Sequence, residues 1–311
     1  MILRVFPCQT SHTPDDAYAV VGPPSLFLPP GITEVHISVT FTWDRKTGLR
    51  LYRAWRQRLP DVPVLLGGPA VGNTAGQFVP GMYVRRGITY TSRGCDNSCP
   101  WCLVSMREGL WRPLPTIQPG YIVQDNNLLQ GPKGHRRRVY AMLRRERRSV
   151  RFQGGLEARR FTPWDEARIR GLRLGQNSLW FACDSPGAMR PLTSVLERLG
   201  DLPIRFKRVF VLAGYRKDDS PEALEGRCRE IAALGAIPFV QLYRGPCESR
   251  HRRWPDAWAS VVRRWSRPAL SLAHMKSIGL RPDGFDRESP CLFAAPSPPS
   301  SPGPSGSKGQ A

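Results

Sequence analysis

Within residues 91–102, Cys95, Cys99 and Cys102 stand in a C-x3-C-x2-C spacing. Three thiolates on one short loop can hold a single iron–sulfur cluster, because thiolates are the protein ligands such clusters take. With three protein ligands, one iron of a [4Fe–4S] cube keeps an open position for a substrate or cofactor. Structural zinc is the alternative. It usually takes four protein ligands, often as two separated pairs. Here the next His or Cys after Cys102 is His135. A disulfide fits less well, since three is odd and no secretory pattern is read at the start of the chain.

A strand-like run over 87–92 leads into the loop, and Trp101 stands just before the last cysteine. In these features the stretch resembles the radical S-adenosylmethionine (radical SAM) superfamily. Arg93 and Gly94 resemble the subgroup whose catalytic unit follows a cobalamin-binding-type domain. The resemblance covers about residues 85–245, and 34–80 more weakly. It implies an enzyme with a [4Fe–4S] cluster on Cys95, Cys99 and Cys102. It also implies S-adenosylmethionine as cofactor and an external one-electron reductant of the flavodoxin or ferredoxin kind. Reductive cleavage of the sulfonium would yield methionine and a 5′-deoxyadenosyl radical, which abstracts a hydrogen from a substrate.

The elements that must position the cysteines are read from periodicity. Strands are predicted over 34–41 and 62–66, with a helix over 48–59 between them whose Leu51, Trp55 and Leu59 share one face. This small βαβ segment is similar to the end of a cobalamin-binding-type domain, closing in Gly67, Gly68 and Pro69. Cobalamin itself is not expected. The family's D-x-H-x-x-G ligand motif has its nearest match at Glu34, His36 and Val39, with the outer positions changed and His36 inside a strand. From residue 87, predicted strands at 88–92, 121–124, 150–153, 178–183, 206–212 and 237–242 alternate with helices. Such alternation implies a parallel sheet with right-handed crossovers. The fold class is therefore α/β, a partial (β/α)6 barrel of radical-SAM type preceded by the βαβ segment. The expected units are 1–80, a barrel with a helical extension over 81–285, and a disordered Pro/Ser/Gly tail over 286–311.

In parallel α/β folds, ligands gather at the carboxyl ends of strands. Polar residues fall there after each predicted strand. By resemblance, Asp125, Glu157, Arg159 and Asp184 match the strand ends that contact S-adenosylmethionine, with Trp101 beside the cluster. Gly214 resembles the glycine that lets adenine approach the backbone. Asp125, Asn126 and Asn127 stand where the family has Gly-Gly-Glu. Cys183 and Cys228 are expected in the core, and Cys8, Cys247 and Cys291 have no ligand spacing.

With 311 residues, 41% of them hydrophobic, the chain can bury a full core. No apolar run reaches spanning length, so no membrane span is expected, nor is a leader. Eight cysteines without a secretory pattern point to a reducing, cytoplasmic setting. A net charge of +21 raises a nucleic acid or nucleotide as substrate. The densest basic run, 135–151 with eight arginines, carries Val139, Met142 and Leu143 at helical spacing. It reads as an amphipathic helix with a solvated basic face. The non-catalytic alternative is a zinc-binding or nucleic-acid-binding protein on the same scaffold.

Overall fold

The computed structural model describes residues 1–72, 78–243, 245 and 254–280, and the chain divides between two larger parallel sheets. The first contains β1 (Ile2–Phe6), β2 (Ala19–Val21), β3 (Glu34–Ser38) and β4 (Val64–Gly67), in the order β2-β1-β3-β4. The expected βαβ segment is β3, α1 (Arg45–Arg58) and β4. Leu51 and Trp55 bury one face of α1. Periodicity did not predict β1 or β2. Fully buried Leu3 and Val5 give β1 an inner place in the sheet. His36 lies within β3, where its ring nitrogens are engaged by Tyr83 at 2.6 Å and Glu34 at 2.9 Å.

β5 (Ile88–Thr89) opens the second sheet. The chain then leaves it for an antiparallel pair, β6 (Ser92–Arg93) and β7 (Arg112–Pro113), which brackets α2 (Val104–Glu108) and all three clustered cysteines. It returns through β8 (Ile122–Val123) and α3 (Lys133–Arg144), then β9 (Arg151–Leu156) and α4 (Pro163–Arg170). β10 (Leu179–Ala182), α5 (Met189–Arg198), β11 (Lys207–Ala213), α6 (Pro221–Ala233) and β12 (Ile237–Leu242) follow. The six strands run β5-β8-β9-β10-β11-β12, parallel and in sequence order. All six predicted strands are present, the first two shortened to two residues each. Among the described residues β12 does not pair with β5, so the second sheet is an open parallel α/β sheet.

Sequential order with right-handed crossovers puts the helices on one face. There Val139, Ile169, Leu192 and Ile231 from four helices join Phe152, Leu179, Phe181, Val209 and Val211 in one core. α7 (Asp256–Trp265) and α8 (Pro268–Ser277) add Trp265 and Met275 to it. Glu225 of α6 binds them, accepting from Trp265 Nε1 at 2.9 Å and meeting His274 Nε2 at 2.9 Å. Cys183 and Cys228 are fully buried in the same core, as expected. Ser220 caps α6 through Ala223 N, with Pro221 at its first turn.

The basic helix departs from expectation at one residue. Arg136 turns inward, 7% exposed, and pairs with Asp165 at 2.5 Å, while Arg137, Arg138 and Arg144 stay exposed. Asp165 also completes the capping box of α4 with Thr162 and accepts from Tyr140 at 2.9 Å. The predicted tail over 286–311, Cys247 and Cys291 lie outside the described residues. No described helix is long and apolar enough to cross a membrane.

Candidate functional site

The cysteines sit on the excursion between β6 and β7, beyond the carboxyl end of the first strand of the six. Gly94 begins it with φ +76°, and a side chain there would collide with Leu110 O at 2.1 Å, so only glycine lets the two limbs approach this closely. Cys95 N donates to Gly109 O at 3.1 Å, tying the limbs again. Glu108, from the end of α2, fastens the base. It pairs with Arg93, accepts from Gly94 N at 3.1 Å and accepts from Asn126 Nδ2 at 2.6 Å. Cys102 N donates to Cys99 O at 2.9 Å, a tight turn that brings the second and third thiols together.

All three thiols are free and partly buried. Gln130 Nε2 lies 3.5 Å and Asn127 Nδ2 4.0 Å from Cys95 Sγ, both amide donors directed at sulfur. Burial pushes the Cys99 thiol up, helped by Cys102 and Cys95 and opposed by Arg159. Burial also pushes the Cys102 thiol up, with Cys95, Asp184 and Glu108 adding to the shift and the Val104 backbone opposing it. Among the described residues no set of three His, Cys, Asp or Glu side chains is gathered to hold a metal ion. The donor set itself fits an iron–sulfur cluster: three thiols, with amide N–H groups aimed at one sulfur.

Several expected rim residues come together around this loop. Trp101 donates its indole N–H to Asp184 and packs edge-on against Tyr215 at 5.3 Å. Asp184 also accepts from Leu212 N at 3.1 Å. Burial raises its pKa, and the bonds from Leu212 and Trp101 oppose the shift. Glu157 accepts from Asn127 Nδ2 at 2.7 Å and pairs with Arg160 at 3.1 Å and Arg159 at 3.4 Å. Trp101, Glu157, Arg159 and Asp184 therefore form a charged and aromatic border beside Cys95, Cys99 and Cys102.

Two of the expected contact residues have close partners within the chain. Asp125 is 1% exposed, and its carboxylate accepts from Thr91 N at 2.6 Å, from Thr91 Oγ1 and from Ser92 Oγ at 2.7 Å. It anchors the strand that feeds the cysteine loop. His135, the next His or Cys after the loop, belongs to the same anchor. It is 3% exposed and its Nε2 meets Thr91 Oγ1 at 3.0 Å. Gly214 has φ +73°, and the space its missing side chain leaves is taken by the Trp254 ring, 2.3 Å from an ideal Cβ. Its close neighbour is an indole of the chain itself.

Gln130 and Glu108 were not singled out by the sequence. Neither carries a motif signal. They reach the site because the β6–β7 hairpin and the turn before α3 fold back on it. His12, on the loop after β1, also crosses to the second sheet, meeting Gln124 at 2.8 Å and bonding to Gln153. No protein-family model, curated protein or solved structure matches this chain.

Proposed function

We propose that the chain is a radical S-adenosylmethionine enzyme whose partial barrel carries a [4Fe–4S] cluster on Cys95, Cys99 and Cys102. One observation carries the reading. Three free thiols lie on a single loop after the first of six parallel strands in sequential order, at the sheet end where α/β folds bind ligands. When bound, cluster and S-adenosylmethionine would supply one-electron cleavage of the sulfonium and the abstraction of a hydrogen from a substrate.

The chain's own residues would bind and orient. Cys95, Cys99 and Cys102 hold iron, and Gln130 and Asn127 donate to the Cys95 sulfur, which stabilises thiolate charge. Trp101 and Asp184 tether the second half of the loop, and Glu108 and Arg93 tether the first. Glu157 and Arg159 offer one acid and one base at the border. That is the charge pair an amino-acid moiety with an amine and a carboxylate requires. Tyr215 and Trp101 give an apolar wall.

The test is metal analysis of protein purified without oxygen. The expected result is a brown protein holding iron and sulfide and cleaving S-adenosylmethionine under a one-electron reductant. Cys95→Ala, Cys99→Ala and Cys102→Ala should each lose iron and cleavage to background while circular dichroism stays native. One zinc per chain and no sulfide would replace this reading with a structural zinc site.

A further inference from the structure

Strand alternation gives the second sheet two faces with different contents. Lys207, Val209 and Val211 of β11 face the helices. Arg208 and Phe210 face the other way, in register with Trp180 on β10 and with Ile237 and Phe239 on β12. Arg208 is 1% exposed, yet among the described residues its Nε and Nη1 have no hydrogen-bond partner. Its guanidinium lies over the Trp180 ring at 5.2 Å and the Phe239 ring at 5.5 Å. Phe210 packs on both rings, at 4.5 Å and 5.8 Å. Aromatic faces attract a cation, but they leave in-plane N–H donors such as Nε and Nη1 unsatisfied.

A buried cation without an acceptor is among the costliest groups a fold can carry. Burial alone, with no neighbouring carboxylate to oppose it, lowers the Arg208 pKa to about 10. Arg151, at the start of β9, likewise has a buried Nε without a partner. The same face is open elsewhere: Ala182 is exposed, and Phe210, Phe239 and Gln153 are half-buried. The face therefore meets solvent beside Phe210 and Phe239. We infer that this helix-free face holds a subsite for an oxyanion, a carboxylate or phosphate on a small ligand, with Arg208 as its cation and Trp180, Phe210 and Phe239 as its walls. Arg208 precedes Gly214 by six residues, about 20 Å of extended strand. The subsite is thus separate from the cysteine border and does not depend on what the thiols bind.

The full chain is titrated with inorganic phosphate and, separately, with benzoate, at ionic strength held constant with chloride. Thermal midpoint and tryptophan fluorescence are followed. The expected result is a saturable rise in midpoint with at least one anion, and a fluorescence change that Trp180→Phe reduces. Response to phosphate alone assigns a phosphate ligand, and response to benzoate alone a carboxylate. Arg208→Met should abolish saturation, whereas Arg205→Met, an exposed neighbour, should keep it. Should Arg208→Met not fold, Arg208→Lys carries the test, with affinity expected to fall at least tenfold. The inference is overturned by a wild type with no saturable response to either anion, or by an unchanged affinity in the Arg208 variant.

Discussion

Two arginines buried on opposite faces of the same sheet make the sharpest contrast in this molecule. Arg136 lies in the helical layer and Arg208 on the helix-free face, 7% and 1% exposed. Arg136 reaches both oxygens of Asp165, and Tyr140 and Thr162 complete that carboxylate's shell. Among the described residues, Arg208 lies over the aromatic faces of Trp180 and Phe239. The first is a charge the fold balances itself, with both partners in adjoining α/β units. The second is a charge with no acceptor among the described residues. Burial of a charge is thus a structural fact in one region and a functional lead in the other, and the deciding observation is the partner rather than the depth.

The contrast can be broken by substitution. Arg136→Met leaves Asp165 buried with its main cation removed, and should cost about 3–5 kcal/mol in denaturant unfolding. A loss below about 1 kcal/mol would mean that the pair does not hold the helical layer. Asp125→Ala should cost about 2–3 kcal/mol, since Thr91 N, Thr91 Oγ1 and Ser92 Oγ lose their shared acceptor. It should also lower iron occupancy by loosening the base of the cysteine loop. Native stability with full iron would separate that anchor from the site.

Acid titration tests the same anchor. Burial lowers the His135 pKa to about 4, below its ordinary value near 6.5. Between those values the unfolded chain binds the proton first. The contribution of His135 is therefore complete above about pH 6.5 and declines as pH falls towards 4. His12, lowered by burial, acts in the same direction, and Asp125, raised by burial, in the opposite one. The difference in unfolding free energy between wild type and His135→Gln isolates the effect and should shrink across that window. A pH-independent difference would remove His135 from the account.

Smaller effects sharpen the picture. Cys228→Ala, in the helical core, should cost about 1 kcal/mol and leave iron binding intact. Iron loss there would show that misfolding, and not ligand removal, explains the loop variants. Arg208→Met without added anion should raise stability and not lower it, because it removes a buried charge with no acceptor. A loss as large as that of Arg136→Met would erase the difference between the two faces.

The sequence by itself determined the order of elements in the second sheet. Each strand and helix there is long or apolar enough for its own periodicity to mark it, and right-handed crossovers leave little freedom in how such units stack. It also marked the cysteine loop and the burial of Cys183 and Cys228, which are local. β1 and β2 escaped because their place depends on pairing with one another and with β3, which no local pattern marks. Only the tertiary structure decided that Asp125 anchors a strand, that Trp254 fills the space beside Gly214, and that Glu108 and Gln130 reach the cysteine loop. Arg136 and Arg208 show why. Each is an arginine flanked by another basic residue in the sequence. What separates them is whether a carboxylate 29 residues away is folded against the side chain. Pairing across such distances is set by how the units stack, and no local pattern encodes it.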